Sequence, residues 1–156
     1  MNATVPTNSG NVLFLCTGNS CRSQMAEAIV NSQLSARWQA FSAGIKPTGY
    51  VHPKAIDVLS EIDIHHIGTS KSISEFIDHE FDLVVTVCDS AAEECPTWLK
   101  PGKLVHLSFP DPAKVIGDEV HVLAKFREVR DAIAMQIPEL LNNIDLKGVQ
   151  GELKAT

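Results

Sequence analysis

The sequence predicts a three-layer α/β/α fold with a central four-stranded parallel sheet. Short apolar runs typical of strands alternate with segments whose apolar residues recur at helical spacing, and this alternation indicates a parallel α/β fold with right-handed crossovers. The run from Leu83 to Val87 is rich in β-branched residues and apolar on both faces, as expected for a strand buried within a parallel sheet. A chain of 156 residues that is 44% hydrophobic is long enough for one domain with a substantial core.

The apolar patterns place the individual elements. Strands are predicted at 12–16, 38–43, 83–87 and 104–107. Helices are predicted over 23–34, over 53–59 and along a segment near the end of the chain. The first helix is expected to bury the face formed by Met25, Ala28, Ile29 and Ser32. The last helix has an apolar stripe, which Pro138 is expected to kink or break. That stripe consists of Phe126, Val129, Ile133, Ile137, Leu140 and Ile144.

The predicted organisation is a single catalytic domain over 11–146, with a flexible extension over 1–10 and a tail over 147–156. The net charge of −6 and the lack of a Lys/Arg cluster argue against nucleic-acid binding. The longest apolar runs are too short to span a membrane, and the first residues lack the features of a signal peptide. We therefore expect a cytoplasmic monomer, in which four cysteines indicate chemistry more than a structural disulfide framework.

The segment CTGNSCR, residues 16–22, lies between the first predicted strand and the first predicted helix. Ligands of such folds bind at the carboxyl ends of the strands. A loop of this length can curl so that successive N–H groups point inward, and the following helix adds its positive N-terminal end. Arg22 supplies a planar fork that suits a tetrahedral oxyanion. The predicted oxyanion-binding residues are Thr17, Gly18, Asn19, Ser20, Cys21 and Arg22.

Cys16 is the predicted nucleophile beneath this loop. A helix N-terminus and a nearby cation both favour the thiolate form of a cysteine. Ser23 is placed to donate a hydroxyl hydrogen bond to that thiolate, and Asn19 is expected to hold the loop curled. On spacing alone, a buried structural cysteine beside a surface arginine is the alternative. Cys21 is interpreted as structural.

Two further cysteines, Cys88 and Cys95, follow the strand predicted at 83–87 and should lie at the same sheet edge as Cys16. Two thiols can supply two electrons by forming a disulfide. The residues between them favour a short helix, which would separate their Cα atoms by about 10.5 Å, beyond the roughly 4.4–6.8 Å that a disulfide tolerates. We therefore expect this segment to unwind when Cys88 and Cys95 join. A zinc site or two buried bystander cysteines are the alternatives.

Asp111 lies in SFPDPAKV, a loop that follows the last predicted strand and is stiffened by two prolines. A carboxylic acid at this place could protonate the oxygen that leaves the central atom when Cys16 attacks. The Asp-Pro pair is equally common as a turn or helix cap. The residue pattern alone leaves these two interpretations open.

The stretch CTGNSCRSQMAE, at 16–27, resembles the signature of the low-molecular-weight tyrosine phosphatase superfamily. Within that superfamily, its residues are more similar to those of the arsenate reductases coupled to thioredoxin. The similarity continues through FSAGI at 41–45, DLVVTVC at 82–88, Cys95 and DPA at 111–113. It covers nearly the whole chain apart from the first ten residues and the tail.

The resemblance implies roles for several residues. In the superfamily the aspartate of the Asp-Pro pair is the general acid, which here is Asp111. Phosphatases usually follow the pair with an aromatic residue that helps hold phosphotyrosine, whereas Ala113 stands here and favours a small inorganic oxyanion. Glu27 and Ser42 match positions that, with an acidic residue, help form a cation site in some relatives. Lys71 replaces that acid, so its ammonium group is expected to pair with Glu27 in place of a cation; a solvated surface lysine is the alternative.

By this resemblance the chain is expected to reduce arsenate to arsenite. Cys16 attacks arsenic, Cys88 attacks Cys16 and releases arsenite, and Cys95 attacks Cys88, leaving a disulfide for thioredoxin. The cysteine spacing resembles the thioredoxin type, and glutaredoxin with glutathione is the alternative reductant. No organic cofactor or catalytic metal is implied. A low-molecular-weight protein tyrosine phosphatase and a non-catalytic oxyanion-binding regulatory module remain as alternative functions.

Overall fold

The computed structural model describes residues 9–89, 98, 100, 102–144 and 146. The strands are β1 (Gly10–Cys16), β2 (Trp38–Gly44), β3 (Leu83–Thr86) and β4 (Lys103–His106), and the α-helices are α1 (Arg22–Gln33), α2 (Pro53–Ser60) and α3 (Glu119–Asn142). Two short 3₁₀ helices cover Ile73–Phe76 and Pro112–Lys114. The strands form a parallel sheet in the order β2-β1-β3-β4. The predicted α/β class with a four-stranded parallel sheet is confirmed.

The two faces of the sheet are covered differently. Side chains of β1 alternate between them: Val12, Phe14 and Cys16 join the core shared with the three α-helices, and Leu13 and Leu15 join a second core. Within the described residues, the second face is covered by the 3₁₀ helix Ile73–Phe76 and by aromatic rings. These rings, which pack edge to face, belong to Phe41, Phe76, Phe81 and Trp98.

Helix α3 differs from its prediction at both ends. It begins at Glu119, well before the apolar stripe, because Asp118 caps it by accepting a hydrogen bond from the N–H of His121. Pro138 lies inside the helix, which continues to Asn142, so of the two expected outcomes the break is wrong and the kink stays a prediction. A proline removes one helical hydrogen bond, and the burial of the residues on either side, Ile137 and Leu141, holds the last turn against the core.

Helix α1 begins with polar residues that are buried. Met25, Ala28 and Ile29 face the core as predicted, but Ser32 is exposed, so the expected apolar face ends earlier. The first turn buries Arg22, Ser23 and Gln24 instead. Buried polar side chains need hydrogen-bond partners. Ser23 and Gln24 have partners in the loop that precedes the helix, whereas Arg22 donates to the carbonyl of Phe109, beyond β4.

The ends of the described chain pack against each other. The sheet takes in Gly10, the last residue of the predicted extension, and the side chain of the buried Leu146 lies against it. Residues 1–8 and 147–156 lie outside the described residues, so the division into extension, domain and tail stays a prediction. Among the described residues, none of the helices combines the length and apolar character needed to cross a lipid bilayer.

The parallel arrangement brings the carboxyl ends of β1 and β3 together. Leu15 pairs with Thr86, and the N–H of Val87 donates to the carbonyl of Leu15 at 2.9 Å. Cys16 ends β1 and Cys88 follows β3. The two cysteines therefore lie on neighbouring strand ends, at the edge where α/β folds bind ligands.

Candidate active site

The loop between β1 and α1 is held from outside by the segment that follows β2. Backbone N–H groups within 46–52 donate to the carbonyls of Thr17, Gly18 and Ser20 at 2.9–3.1 Å. In a trans peptide the carbonyl and the next N–H point in opposite directions, and the described residues contain no cis peptide bond. The N–H groups that follow these three carbonyls therefore point to the inner side of the loop, as an anion cradle requires.

Two residues allow the loop to curl this tightly. A Cβ at Gly44, the last residue of β2, would lie within 3.1 Å of backbone atoms of Thr17, Gly18 and Asn19, so a glycine is required for the loop to pack against β2. Asn19 has a φ of 50°, in the left-handed region that asparagine tolerates better than most residues. The bend of the loop therefore depends on Asn19 and on Gly44 in the neighbouring strand.

The fully buried side chain of Asn19 connects the loop to its surroundings. Its Oδ1 accepts from the backbone N–H of Lys71 at 2.8 Å and from Nε2 of Gln24 at 3.0 Å. Its Nδ2 donates to Oγ of Ser23 at 2.8 Å. This geometry supports the predicted role of Asn19 in holding the loop curled.

Ser23 lies between Asn19 and the thiol. Its Oγ is 2.9 Å from Sγ of Cys16, and both side chains are buried. Oγ accepts the Asn19 hydrogen bond and keeps its own hydrogen, which it can donate to the sulfur. The hydroxyl can therefore stabilise a thiolate at Cys16.

Arg22 and Asp111 face each other across the site. Arg22 is the first residue of α1 and is only 3% exposed; its Nη1 donates to the carbonyl of Phe109 at 3.2 Å, and its Nη2 lies 3.5 Å from Oδ2 of Asp111. Oδ1 of Asp111 accepts from the N–H of Ala113 and caps the helix Pro112–Lys114. Asp111 thus acts as a helix cap through one oxygen while its other oxygen faces Arg22, with a fifth of its side chain exposed.

Cys21 shares the loop but has a different environment. Burial, followed by the negative charges of Asp111 and Cys16, raises the pKa of its thiol to about 12. Ser20 and Arg22 act in the opposite direction and do not offset this. A thiol with such a pKa stays protonated at neutral pH, in agreement with the interpretation of Cys21 as structural.

The group formed by Glu27, Ser42 and Lys71 lies beneath the loop. Oγ of Ser42 donates to Oε1 of Glu27 at 2.5 Å. Nζ of Lys71 lies 4.0 Å from the same oxygen and donates to the carbonyl of Thr69 at 2.8 Å. The ammonium group therefore lies next to Glu27, and its role in place of a cation stays a prediction. Within the ranges that the structure describes, no cluster of three His, Cys, Asp or Glu side chains could hold a metal ion.

The cysteines differ in their bonding. Cys16 and Cys21 are free thiols, whereas Cys88 is fully buried and disulfide-bonded. Cys95 and the predicted helical segment before it lie outside the described residues. Their roles, and the unwinding of that segment, stay predictions.

Two residues of the site were not anticipated from the sequence. Gln24 anchors the loop through three acceptors, the carbonyls of Asn19 and Thr69 and Oδ1 of Asn19. The signal for it was available, since polar residues open a helix whose next residues are apolar. The carbonyl of Phe109 that accepts from Arg22 had no such signal, because every residue carries a backbone carbonyl.

The site combines a buried thiol at the end of a strand, a curled loop and an arginine at the start of a helix. These features are typical of cysteine-dependent α/β proteins that bind oxyanions. The sequence matches the family described as low molecular weight phosphotyrosine protein phosphatase over residues 11–150. The chain belongs to this family, as its resemblance indicated.

Within the family the chain is similar to arsenate reductases. It is 45% identical over 130 residues to an arsenate reductase of Halalkalibacterium halodurans, with 81% of this chain and 91% of the relative covered. Its fold resembles that of an arsenate reductase solved in an oxidized state, with a TM-score of 0.71 and 28% identity over 86% of this chain and 98% of that one. It also resembles a thioredoxin-dependent arsenate reductase of Corynebacterium glutamicum, with a TM-score of 0.63 and 25% identity over 94% of this chain and 64% of that one.

Proposed function

We propose that this protein is an arsenate reductase in which Cys16, Cys88 and Cys95 form a thiol/disulfide relay. The observation that carries the proposal is a free thiol at Cys16, beneath an anion-type loop, beside a disulfide-bonded Cys88 on the neighbouring strand end. A phosphatase needs one nucleophilic cysteine and water, whereas a reductase must supply two electrons. The identity with arsenate reductases supports arsenate as the oxyanion.

The first step is attack on arsenic. Arsenate binds to the inward N–H groups of the loop and to the fork of Arg22. The thiolate of Cys16, which receives the hydrogen bond of Ser23, forms a sulfur–arsenic bond. One arsenate oxygen leaves as water, and Asp111 donates the proton through the oxygen that faces Arg22.

The second step transfers the electrons. The thiolate of Cys88 attacks the sulfur of Cys16, the sulfur–arsenic bond breaks, and its electron pair stays on arsenic, which leaves as arsenite. Cys95 then attacks Cys88, restores the thiolate of Cys16 and leaves a Cys88–Cys95 disulfide. After the last of these reaction steps, Cys16 should be free and Cys88 should be in a disulfide, as they are in the structure.

The dithiol of thioredoxin reduces the final disulfide and supplies the two electrons of each cycle. The similarity to a thioredoxin-dependent arsenate reductase supports this reductant over glutaredoxin with glutathione. The chain is proposed to act as a cytoplasmic monomer with no organic cofactor or catalytic metal. In the place of a cation next to Glu27, we propose the ammonium group of Lys71, which lies 4.0 Å from it.

The family match favours phosphatase activity as a second candidate, because the loop and Asp111 would serve both reactions. Two features speak against it. Ala113 follows the Asp-Pro pair, where an aromatic residue would help hold phosphotyrosine. In addition, a disulfide at Cys88 has no use in phosphate ester hydrolysis.

The test is a coupled assay of the full chain. Arsenite formation is measured with thioredoxin and its reductase, in parallel with glutathione and glutaredoxin, and hydrolysis of an aryl phosphate is measured separately. We expect sustained arsenite formation with thioredoxin and one NADPH consumed per arsenite. Aryl phosphate hydrolysis without arsenite formation would establish the phosphatase, and binding of oxyanions without either activity would leave the regulatory module.

A further inference from the structure

Trp98 is a buried aromatic residue in the part of the chain between Cys95 and β4. Its side chain is 7% exposed and belongs to the second core, on the face of the sheet away from the α-helices. The indole packs edge to face against Phe81, with the ring centroids 5.8 Å apart. Phe81 packs in the same way against Phe41 and Phe76. Trp98 is therefore held by a set of rings that contact one another.

The contacts that hold Trp98 are apolar. Among the described residues, its buried Nε1 has no hydrogen-bond partner, so the ring is fixed by its packing and not by its N–H group. The same core includes Leu13 of β1 and Val84 of β3, which belong to the two central strands of the sheet. Trp98 is thus attached to the most rigid part of the fold.

Trp98 limits the positions that Cys95 can reach. Only Pro96 and Thr97 separate the two residues in the sequence, so their Cα atoms lie within about 11 Å of each other whatever path the chain takes. From Cys88, which is fully buried, seven steps along the chain would allow about 25 Å. The tether to Trp98 is therefore the tighter of the two restraints.

We propose that Trp98 is a positioning residue for Cys95, which it keeps close to Cys88 in the thiol/disulfide relay. In the step concerned, the thiolate of Cys95 attacks the sulfur of Cys88. The Cys88–Cys95 bond forms, the Cys16–Cys88 bond breaks, and Cys16 leaves as a thiolate. A short tether raises the effective concentration of the attacking thiol. The proposal rests on the relay of the proposed function.

The next point at which the sheet fixes the chain is far less restrictive. Strand β4 begins at Lys103, which pairs with Leu83 of β3. Eight steps separate Lys103 from Cys95 and allow about 29 Å. Without the anchor at Trp98, Cys95 would therefore be restrained no more tightly from this side than from Cys88.

The test is a single turnover of the reduced full-length protein with arsenate and without thioredoxin. Arsenite and the disulfide-linked peptides are quantified over time after acid quenching, the peptides by mass spectrometry. Trp98→Ala removes the anchor, and Trp98→Phe keeps an aromatic ring. Phe76→Ala is the matched control, because Phe76 is also 7% exposed in the same core, whereas the segment around it carries no cysteine. Cys95→Ser gives the limit in which the Cys16–Cys88 disulfide is not converted.

We expect Trp98→Ala to release arsenite at the wild-type rate, because Cys16 and Cys88 are untouched. Conversion of the Cys16–Cys88 disulfide into Cys88–Cys95 should slow by roughly 2- to 10-fold, so that the first disulfide accumulates. Trp98→Phe and Phe76→Ala should convert it at close to the wild-type rate. A merely structural role of Trp98 would instead slow both phases, and Phe76→Ala would have the same effect.

A second variant lengthens the tether and keeps the ring. Two glycines inserted between Thr97 and Trp98 extend the reach of Cys95 to about 18 Å and should slow the same conversion. This variant decides the matter if Trp98→Ala fails to fold. In a Trp38→Phe background Trp98 is the only tryptophan. Acrylamide quenching of its fluorescence should be equally weak in the reduced and oxidised protein, because the anchor has to hold before Cys95 attacks.

The proposal is overturned if the insertion variant or a folded Trp98→Ala converts the first disulfide at the wild-type rate. It is also overturned if Phe76→Ala or Trp98→Phe is as slow as Trp98→Ala, or if acrylamide reaches Trp98 freely in the reduced protein. A wild type that forms no arsenite contradicts the proposed function, while quenching still reports whether Trp98 is anchored. Normal arsenite release with a conversion rate independent of Trp98 contradicts this inference alone.

Discussion

The two ends of the loop at 16–22 carry buried thiols with different surroundings. Cys16 has the hydroxyl of Ser23 at 2.9 Å, whereas Cys21, at the start of α1, makes no capping hydrogen bond with its side chain. Burial, then the charges of Asp111 and Cys16, raises the pKa of Cys21 to about 12. A side-chain hydrogen bond with Ser20 does not offset this rise, so the surroundings of Cys21 as a whole disfavour its thiolate.

The comparison shows what makes a buried cysteine chemically useful. Burial alone disfavours a thiolate, because the anion loses its hydration. A hydroxyl next to the sulfur can replace part of that hydration, and both thiols have one, Ser23 at Cys16 and Ser20 at Cys21. At Cys21, burial and the charges of Asp111 and Cys16 outweigh it. The charge on one thiol also opposes ionisation of the other. This difference fits the proposal that Cys16 is the cysteine of the loop that forms a thiolate.

The largest expected effect comes from removing each thiol in turn. Cys16→Ser should lower arsenate turnover by at least about 10³-fold, because a serine hydroxyl is not ionised at neutral pH. Cys21→Ala keeps the backbone N–H of the loop and should stay within about threefold of wild type, with a loss of roughly 1 kcal/mol in unfolding free energy. Initial rates of arsenite formation and urea unfolding measure both. A loss for Cys21→Ala as large as that for Cys16→Ser would refute the contrast between the two ends.

The relay extends the comparison to the other two cysteines. Cys95→Ser should release one equivalent of arsenite and then stop as a Cys16–Cys88 disulfide, because the thiol that frees Cys16 is missing. Cys88→Ser should stop earlier, with no arsenite released. Single-turnover arsenite measurements and mass spectrometry of the trapped species distinguish the two. Repeated turnover by Cys95→Ser with thioredoxin would contradict the proposed order.

Arg22 allows a smaller change at the helix end of the loop. Arg22→Lys keeps the charge and loses the fork, so oxyanion affinity and turnover should fall by about 10- to 100-fold. Arg127→Lys is the matched control, since Arg127 also makes a two-pronged bond, to Glu61, but at the surface. Phosphate inhibition constants and arsenate kinetics are the measurements. Equal kinetics in Arg22→Lys and wild type would mean that the anion binds elsewhere.

Much of this site could be predicted because its signals are local. Cys16, Asn19, Arg22 and Ser23 lie within one short segment, and the loop geometry follows from a strand, a turn and a helix in succession. The strands of the sheet could likewise be predicted from their apolar runs. The clearest case is β3, whose residues are all buried. Where the pattern failed, at Pro138, the core contacts of the surrounding helix outweighed the missing hydrogen bond.

What could not be predicted depends on contacts between distant parts of the chain. Gln24 meets His66 because the segment after α2 returns to the loop, and Gly68 leaves the room for that contact. The carbonyl of Phe109 reaches Arg22 from beyond β4. The sequence around His66 does not indicate that Gln24 is its hydrogen-bond partner. Contacts between residues far apart in the chain become visible only in the folded structure.

The smallest expected effect is a lack of change at Cys21 when the pH is raised. Its pKa is raised from 9.0 to about 12 in the folded protein, so below the lower value both the folded and the unfolded chain hold the proton. Between the two values the unfolded chain loses it first.

Raising the pH from 7 to 10 should therefore leave Cys21 unalkylated by iodoacetamide in the native protein, with about 1% thiolate at most. In denaturant Cys21 should react as an ordinary thiol. Peptide mass spectrometry at each pH, with Cys16 as the internal reference, measures both. Native alkylation of Cys21 that rises in step with that of the denatured chain would show that the two ends of the loop are not distinguished by their surroundings.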